Sequence, residues 1–546
     1  AKDVLLFFAI AIAITAIMVF FFSKSLMLTF LPLFCSIVAV VWQLGLLTLF
    51  GFGLDPMSIL VPFLVFAIGV SHGVQMINAV GKRASAGMDV KVASQLAFRT
   101  LLIPGGIALL SDTVGFMTLL VIDIGIIREL AITASMGVAV IILTNLLLLP
   151  VLMSYVKVSD KYKAKIAESS KKNEHSWDLV AKCASPKVAI VIVAVTAVLF
   201  VLGFMQSQNM KIGDLHAGAP ALHENSRYNQ DTFLITDKYE ITVDYISVIV
   251  ETKVDACTEF EYMTAMDDFQ WRMENIDGVQ SAISLASVAK RVNAGYNEGN
   301  PKWEVLPRNQ ATIVQAISRV PTSTGLLNRN CSVMPIILFM EDHKAETIET
   351  VVAAVKEISQ EFSKDDLQFK LASGPVGVMA ATNEAVKESQ DPMLYYVFGA
   401  VIVLCLISFR SIRATLAVVI PLYVVSVLAQ ALMTYLEIGL TVSTLPVIAL
   451  GVGIGVDYGI YILSTMNIKL REGLSVEESY LEALKERGSA VLFTGITLAI
   501  GVSTWVFSTL KFQMDMGILL TFMFIVNMLG AIIVLPAIAR LLWFKR

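Results

Sequence analysis

Asp457 is the residue of this 546-residue chain whose type and position most clearly suggest chemistry. It stands in the apolar sequence GVGIGVDYGIY, about 15 residues, or roughly 22 Å of helix, from the outer end of a predicted membrane span. A charge at that depth is costly, so an ionisable residue there usually has a function. A carboxylate that exchanges a proton with a water path can carry protons, and Tyr458 can share its hydrogen bond. The competing interpretation is a static polar contact between two helices.

An internal repeat points to a second titratable residue. Shifted by 386 residues, the chain aligns with itself without a gap from about residue 24 to about residue 150, and Ser71–His72 aligns with Asp457–Tyr458. Chance similarity between apolar helices does not readily produce matching glycines and prolines, so we predict a parallel duplication. The matches include Gly53/Gly439, Gly69/Gly455, Gly73/Gly459, Gly87/Gly473, Gly115/Gly501 and Pro150/Pro536. Because imidazole titrates near neutral pH, we expect His72 and Asp457 to meet near the axis between the two halves.

Three further polar residues of the predicted spans are weaker relay candidates. Asp112 is either a second relay station or part of a water path, and by residue count it lies nearer the outer end of its span than His72. Thr494 and Thr497 lie in the matching span of the second half. A threonine in a helix more often donates to a carbonyl of its own helix, so a relay role for either is the less favoured interpretation.

The glycines of the same spans recur every fourth residue, a spacing that allows helices to pack closely. They are Gly69, Gly73, Gly451, Gly455 and Gly459. Since no strand–turn–helix pattern surrounds GVGIGVDYG, this sequence is not a dinucleotide loop, and no Walker A motif occurs. The five cysteines have no metal-binding spacing, and no nucleophile–base set is found. We therefore expect no cofactor, no metal and no enzymatic activity.

The composition requires membrane helices around these residues. Hydrophobic residues make up 56% of the chain and charged residues 16%, against roughly 25% charged in soluble proteins. An all-soluble enzyme is therefore excluded, and the net charge of -4 argues against nucleic-acid binding. Eleven stretches are candidate spans, at roughly 3–23, 26–50, 56–80, 100–122, 127–155, 187–206, 393–409, 413–437, 442–466, 488–510 and 515–543.

The order of the spans predicts five segments. They are a first bundle (1–156), a Lys-rich cytoplasmic connection (157–186), a single span (187–206), a polar domain (207–391) and a second bundle (392–546). In the repeat, residue 1 aligns with residue 387, so we expect one more span and one more outer domain before residue 1, which makes twelve spans. The short connections rich in Lys and Arg are expected in the cytoplasm, which places the polar domain in the periplasm of a multi-pass inner-membrane protein.

The polar domain is expected to have an α+β fold. Alternation and helical spacing predict strands at 241–250, 333–340 and 367–373, and helices at 257–275 and 345–362. This order predicts a ferredoxin-like unit. Residues 286–331, rich in Asn, Gly and Pro, are expected to be an insertion or a flexible lobe. Cys257 and Cys331 both lie in the domain, and the sequence leaves open whether they form a disulfide.

Two repeats of spans, an outer domain after the first span of a half, and the GxxxDY pattern ending at Tyr458 resemble the resistance-nodulation-division (RND) superfamily. Within it the chain resembles the branch of mycobacterial large membrane proteins, hopanoid exporters and Patched-like proteins. The resemblance implies that Asp457 and Tyr458 are the proton-relay pair of span ten. The first half departs from many relatives, because Ser71–His72 stands where they carry a second Asp–Tyr pair.

The resemblance also implies the function. We expect a proton antiporter that exports hydrophobic or amphiphilic molecules, lipids above all, from the inner membrane or periplasm. The polar domain is large enough for a porter-like unit but short for a docking lobe, so we expect a monomer or small homo-oligomer, with a periplasmic lipid carrier as a conceivable partner. The alternatives are a lipid- or sterol-sensing or scaffold protein that does not transport, and a protein-translocation accessory of the same superfamily.

Overall fold

The computed structural model describes residues 2–157, 175–239 and 241–543, and the chain divides into two compact units. Lys211–Glu384 form one unit, called the polar unit below, and the flanking parts of the chain form the membrane unit. Within the described residues, eleven helices are long and apolar enough to cross a membrane, which confirms the predicted polytopic helical fold. Residues 158–174, most of the expected Lys-rich connection, lie outside the described residues.

Six of the eleven long apolar helices precede the polar unit. They are α1 (Lys2–Ser23), α2 (Leu26–Leu49), α3 (Val61–Ser85), α4 (Val90–Thr118), α5 (Gly125–Met153) and α6 (Pro186–Ser207). Local sequence explains where several of them begin. Proline occupies the first turn of α3 and of α6, where its missing N–H costs no hydrogen bond. Asp89 caps α4 by accepting from the backbone N–H of Lys91.

The polar unit contains a four-stranded antiparallel sheet. Its elements are α7 (Arg227–Lys238), β1 (Tyr245–Thr252), α8 (Phe260–Glu274), β2 (Val279–Ile283), α9 (Leu285–Tyr296), α10 (Gln310–Ile317), β3 (Val333–Met340), α11 (Ala345–Phe362) and β4 (Leu367–Ser373). The strand order β2-β3-β1-β4, with every neighbouring pair antiparallel, is that of the ferredoxin-like fold. Alternate residues of β1 are buried against α8 and α11, which explains the period of two in its sequence.

The expectations for this unit differ from the structure at its first two strands. The first strand begins at Tyr245 rather than at residue 241, and β2 was not predicted. The segment 286–331, expected to be an insertion or a flexible lobe, is inserted between β2 and β3 and contains most of α9 and all of α10, whose apolar residues pack on the core of the sheet. The open question of the cysteines is settled, since Cys257 and Cys331 form a disulfide with their Cα atoms 5.5 Å apart.

The remaining helices belong to the second half of the repeat. They are α12 (Pro375–Phe409), α13 (Ile412–Tyr435), α14 (Leu445–Arg471), α15 (Val476–Phe507) and α16 (Lys511–Leu542). Two helices equivalent by the repeat, α3 and α14, are the most buried of the spans. Both are polar enough at their centres that lipid would be a poor environment for them, and both lie inside the bundle.

Small residues allow neighbouring helices to approach α3 and α14. A Cβ atom at Gly69 or Gly73 would collide with Ser36 or Pro32 of α2. On α14, a Cβ at Gly451 or Gly455 would collide with Met523 or Asn527 of α16, and one at Gly459 would lie 3.0 Å from Val418 of α13. The five glycines singled out in the sequence therefore all lie at close helix–helix approaches.

Each half also has an asparagine that links its last helix to its central one. Asn145 donates to the carbonyl of Gly69, and Asn527 donates to the carbonyl of Gly451 at 2.8 Å. Both pairs are 76 residues apart, and each asparagine lies in or just before a π-helical turn. The two π-helical turns coincide under the shift of 386 residues and support a duplicated architecture, whereas the two asparagine bonds are about one helical turn apart in that alignment.

Candidate functional site

The centre of the membrane unit brings together His72 of α3 and Asp457 of α14. His72 Nε2 lies 3.3 Å from Asp457 Oδ2, and the two residues are 4% and 5% exposed. In the repeat His72 aligns with Tyr458, the residue next to Asp457, so the most buried helices of the two halves meet at this point. The pair therefore joins the two halves through ionisable groups in an apolar surrounding.

Asp112 of α4 completes a three-residue cluster. A ring nitrogen of His72 and one carboxylate oxygen from each of Asp112 and Asp457 all lie within 4.8 Å of one another. Asp112 is 1% exposed. Glycines allow this approach of α4 to α14, since a Cβ at Gly115 would lie 3.7 Å from the Cα of Gly453. The residue count along α4 had suggested that Asp112 lies nearer the outer end than His72, whereas its carboxylate reaches the same cluster.

Tyr461 is a member of the site that the sequence analysis missed. Its hydroxyl lies 2.7 Å from Nδ1 of His72, the ring nitrogen that does not face Asp457. The available signal was its spacing, because residues four apart on a helix share a face and Tyr461 follows Asp457 by four. Gly105 of α4 leaves room for this hydroxyl, since a Cβ there would lie 3.1 Å from it.

Four polar atoms of the cluster and the hydroxyl of the adjacent Tyr458 are buried without a hydrogen bond to any described residue. They are His72 Nε2, both carboxylate oxygens of Asp112, Asp457 Oδ1 and the Tyr458 hydroxyl. Buried polar atoms are nearly always satisfied, so a group of five is a candidate site for exchangeable protons. Two carboxylates and an imidazole this close could also hold a small cation.

The other residues predicted for the relay do not bond to the cluster in the described structure. Ser71 is half-buried, and no hydrogen bond joins its side chain to His72 or Asp457 within the described residues. Thr494 donates to the carbonyl of Val491 at 3.0 Å, and Thr497 donates to that of Phe493 at 2.8 Å. Both threonines thus make the contact with their own helix that competes with a relay role.

A second contact between the halves lies where α3 ends. A π-helical turn at Leu484–Gly488 of α15 leaves backbone carbonyls without their usual helical partners. Lys82 Nζ and Asn78 Nδ2 both donate to the carbonyl of Glu486 at 3.0 Å. Arg487 in the same turn is 3% exposed, and its charge faces Glu486 at 3.3 Å. Sequence alone gave no indication of this turn.

Two family models match the chain. The model of the MMPL family matches residues 245–543, more than half of the chain. The model described as the sterol-sensing domain of SREBP cleavage-activation matches residues 20–171, which contain His72 and Asp112.

Similar curated proteins come from archaea and bacteria. The putative membrane protein MJ1562 of Methanocaldococcus jannaschii is 20% identical over 53% of this chain and 76% of its own length. The probable transport protein MmpL12 of Mycobacterium tuberculosis is 24% identical over 31% of this chain, but only 15% of its own length is covered. The membrane protein YdfJ of Bacillus subtilis is 28% identical over 16% of this chain and 12% of its own length. From the extent of the family match, together with the eleven helices, this chain belongs to the MMPL family of the RND superfamily.

Proposed function

We propose that this chain is a proton-driven exporter of hydrophobic or amphiphilic molecules, with lipids as the substrate class. The observation that carries the proposal is the buried contact between His72 and Asp457, one residue from each half of a duplicated bundle. Asp112 and Tyr461 add an acid and a hydroxyl to the same cluster. No ordinary packing role calls for so many ionisable groups in an apolar core.

In the proposed cycle a proton neutralises the cluster and is then passed on by His72. The imidazole accepts a proton at Nε2 on the Asp457 side and releases one from Nδ1 to the hydroxyl oxygen of Tyr461, which passes its own proton on to the water path in the same step. Removal of the charge between α3 and α14 changes the contact of the two halves, which then rock against each other. One charge that crosses 100 mV supplies roughly 2.3 kcal/mol, enough to bias a two-state element by tens of fold.

A cleft in the membrane unit supports the proposed substrate class. It has a volume of about 330 Å³ and lies between the end of α6, the middle of α12 and the second half of α13. Aromatic side chains line one part of it and polar side chains another, as an amphiphile requires. The aromatic residues are Phe204, Phe398 and Tyr423, and the polar ones include Gln390, Asp391 and Gln430. We assign this cleft to substrate entry.

The location is proposed from charge and from redox chemistry. Lys and Arg at the ends of α3, α14 and the neighbouring connections favour the cytoplasm for that side of the membrane. The disulfide between Cys257 and Cys331 favours an oxidising compartment for the polar unit. Both agree with an inner-membrane protein whose polar unit lies in the periplasm.

A sterol- or lipid-sensing role is the second candidate, because the sterol-sensing model matches residues 20–171. A sensor would use the same bundle without net transport. Lipid binding to the bundle would then persist while an imposed proton gradient moves nothing, which separates this role from that of a pump.

Proteoliposomes with an imposed pH gradient test the proposal. Pyranine inside the vesicles reports proton flux, and a lysophosphatidylethanolamine labelled with nitrobenzoxadiazole serves as the probe for export. We expect gradient-dependent export that a protonophore abolishes and that Asp457→Asn eliminates. Asp515→Asn is the matched control, because Asp515 is a buried carboxylate of α16 that pairs with Lys511 at 2.9 Å, outside the cluster.

Two outcomes would overturn the proton-driven proposal. The first is unchanged probe export and proton flux in Asp457→Asn. The second is export that follows a sodium gradient in the absence of a pH gradient, which would make the cluster a sodium site. Binding of the probe with no gradient-dependent movement would favour the sensor.

A further inference from the structure

We propose that the polar unit contains a binding site of its own for a single-chain anionic amphiphile, such as a fatty acid. The site is a cleft of about 620 Å³ between α8, α9 and the segment 303–309 that leads into α10. This volume lies within the range of small-molecule sites, roughly 300–1,000 Å³. The cleft lies wholly within Lys211–Glu384, so it is distinct from the cleft assigned to substrate entry.

The walls of the cleft are suited to an alkyl chain. Its apolar lining consists of Phe260, Trp303, Val305, Leu306 and Pro307. Trp303 and Val305 are each 51% exposed, although both are large apolar residues of a disulfide-bonded unit. Large apolar side chains that remain exposed beside a cavity are expected where a ligand covers them.

Two polar groups in the lining have their partners within the protein. Asp267 pairs with Lys290 at 2.6 Å. Asn293 Nδ2 donates to the carbonyls of Trp303 and Val305, at 2.8 and 3.1 Å. These bonds hold the wall in place, so they position the apolar residues and leave little capacity for recognition of a polar ligand such as a sugar.

Thr264 and Arg308 of the lining remain available. The Thr264 hydroxyl is buried and has no hydrogen-bond partner among the described residues. Arg308 is exposed at the cleft and forms no ion pair with any described residue. A guanidinium beside an apolar wall, with the one lining carboxylate already neutralised by Lys290, selects an anionic head group. A carboxylate at the end of an alkyl chain satisfies both parts of the cleft.

Quenching of Trp303 fluorescence by a brominated fatty acid tests the site. The full chain is placed in nanodiscs of zwitterionic phosphatidylcholine and titrated with dibromostearate. The signal of the site is the quenching present in the unmodified chain and absent in Trp303→Phe. We expect this component to saturate, and we expect Arg308→Gln to weaken the affinity about tenfold. Arg329→Gln is the control, because Arg329 is exposed in the same unit but does not line the cleft.

Three results would overturn the inference. They are the absence of a saturable component, an unchanged affinity in Arg308→Gln, and equal affinity for a brominated lysophosphatidylcholine, which has no net charge. Leu306→Asp provides a second test of the apolar wall, since a charge there should abolish the saturable quenching of Trp303. Asp457→Asn should bind the probe as tightly as the unmodified chain, because Asp457 does not line this cleft. The fatty-acid site is therefore tested independently of the proton-driven export.

Discussion

The hydroxyl of Tyr461 lies 2.7 Å from Nδ1 of His72, the ring nitrogen that does not face Asp457. Asp457 and Tyr461 are four residues apart on α14, so one helical turn presents an acid and a hydroxyl to the two nitrogens of one imidazole. A proton taken up at one nitrogen can leave from the other without rotation of the ring. The geometry thus gives the proposed relay a direction along α14.

Tyr461→Phe should interrupt this relay. The phenyl ring fills the same space but cannot exchange a proton with Nδ1, so proton flux in proteoliposomes should fall by at least about tenfold. The control is Tyr435→Phe, since Tyr435 is 77% exposed and remote from the bond to His72. Unchanged flux in Tyr461→Phe would remove this residue from the pathway.

Gly105→Ala and Gly106→Ala form a matched pair on α4. The new Cβ at 105 would lie 3.1 Å from the Tyr461 hydroxyl, whereas the nearest neighbour of a Cβ at 106 is Leu146 at 3.8 Å. We expect the first substitution to displace Tyr461 and lower proton flux several-fold, and the second to leave the flux unchanged. An equal effect of both would mean that helix packing, and not the hydroxyl, is responsible.

Gly455→Ala should destabilise the membrane unit. The added Cβ would overlap the side chain of Asn527, which also donates to the carbonyl of Gly451. Overpacking of this kind costs about 1–3 kcal/mol, which thermal unfolding in dodecyl maltoside would detect as a lower midpoint. Gly501→Ala is the comparison, because no atom lies within 4 Å of a Cβ there. The close approach would be disproved if the two variants melted alike.

Removal of the disulfide should loosen the polar unit. Cys257 and Cys331 are 74 residues apart, so the bond restricts a long loop of the unfolded chain. Cys257→Ala together with Cys331→Ala should lower the free energy of unfolding by about 2–4 kcal/mol, measured by urea-dependent proteolysis. Cys183→Ser, which alters an unpaired cysteine, should have a small effect. The bond contributes little to stability if the double variant resists urea as well as the unmodified chain.

The pH dependence of stability should reveal His343 in the polar unit. Burial alone lowers the pKa of His343, but its hydrogen bond to Asp244 at 3.0 Å and the charges of Asp214 and Asp342 raise the pKa above its usual 6.5. The protonated form therefore stabilises the fold fully below about pH 6.5, and this contribution is lost as the pH rises through the raised pKa.

The melting midpoint of the polar unit should accordingly fall by a few degrees from pH 6 to pH 8. In His343→Gln this fall should disappear, because the imidazole that titrates beside Asp244 has been removed. Circular dichroism of both proteins at several pH values gives the comparison. A parallel fall in the variant would assign the dependence to other groups.

Much of the fold could be predicted because its signals are local. An apolar run of sufficient length must lie in the bilayer whatever its neighbours are, and the predicted stretches correspond to the eleven helices found. The strands 333–340 and 367–373 were predicted at their observed bounds for the same reason. The short strand β2 was missed because five residues of mixed polarity become a strand only through pairing with β3.

The candidate site was predictable only in part. Asp457 was found from its depth in a predicted span, and His72 from its alignment with the Asp457–Tyr458 pair in the repeat. Both the depth and the repeat can be read from the amino-acid sequence alone. The place of Asp112 was judged from a residue count, which measures depth only along a straight helix normal to the membrane. The packing of α4 against α14 brings its carboxylate to the cluster.

By itself, the sequence determined which segments are long and apolar enough to cross a membrane, predicted a duplicated bundle, and identified Asp457 as a buried acidic group. The tertiary structure decided that Tyr461 meets His72, that Asp112 joins them, and that Lys82 reaches a π-helical turn of the other half. The reason is physical. Burial in lipid depends on the composition of one segment, whereas hydrogen bonds between segments about 390 residues apart depend on helix packing.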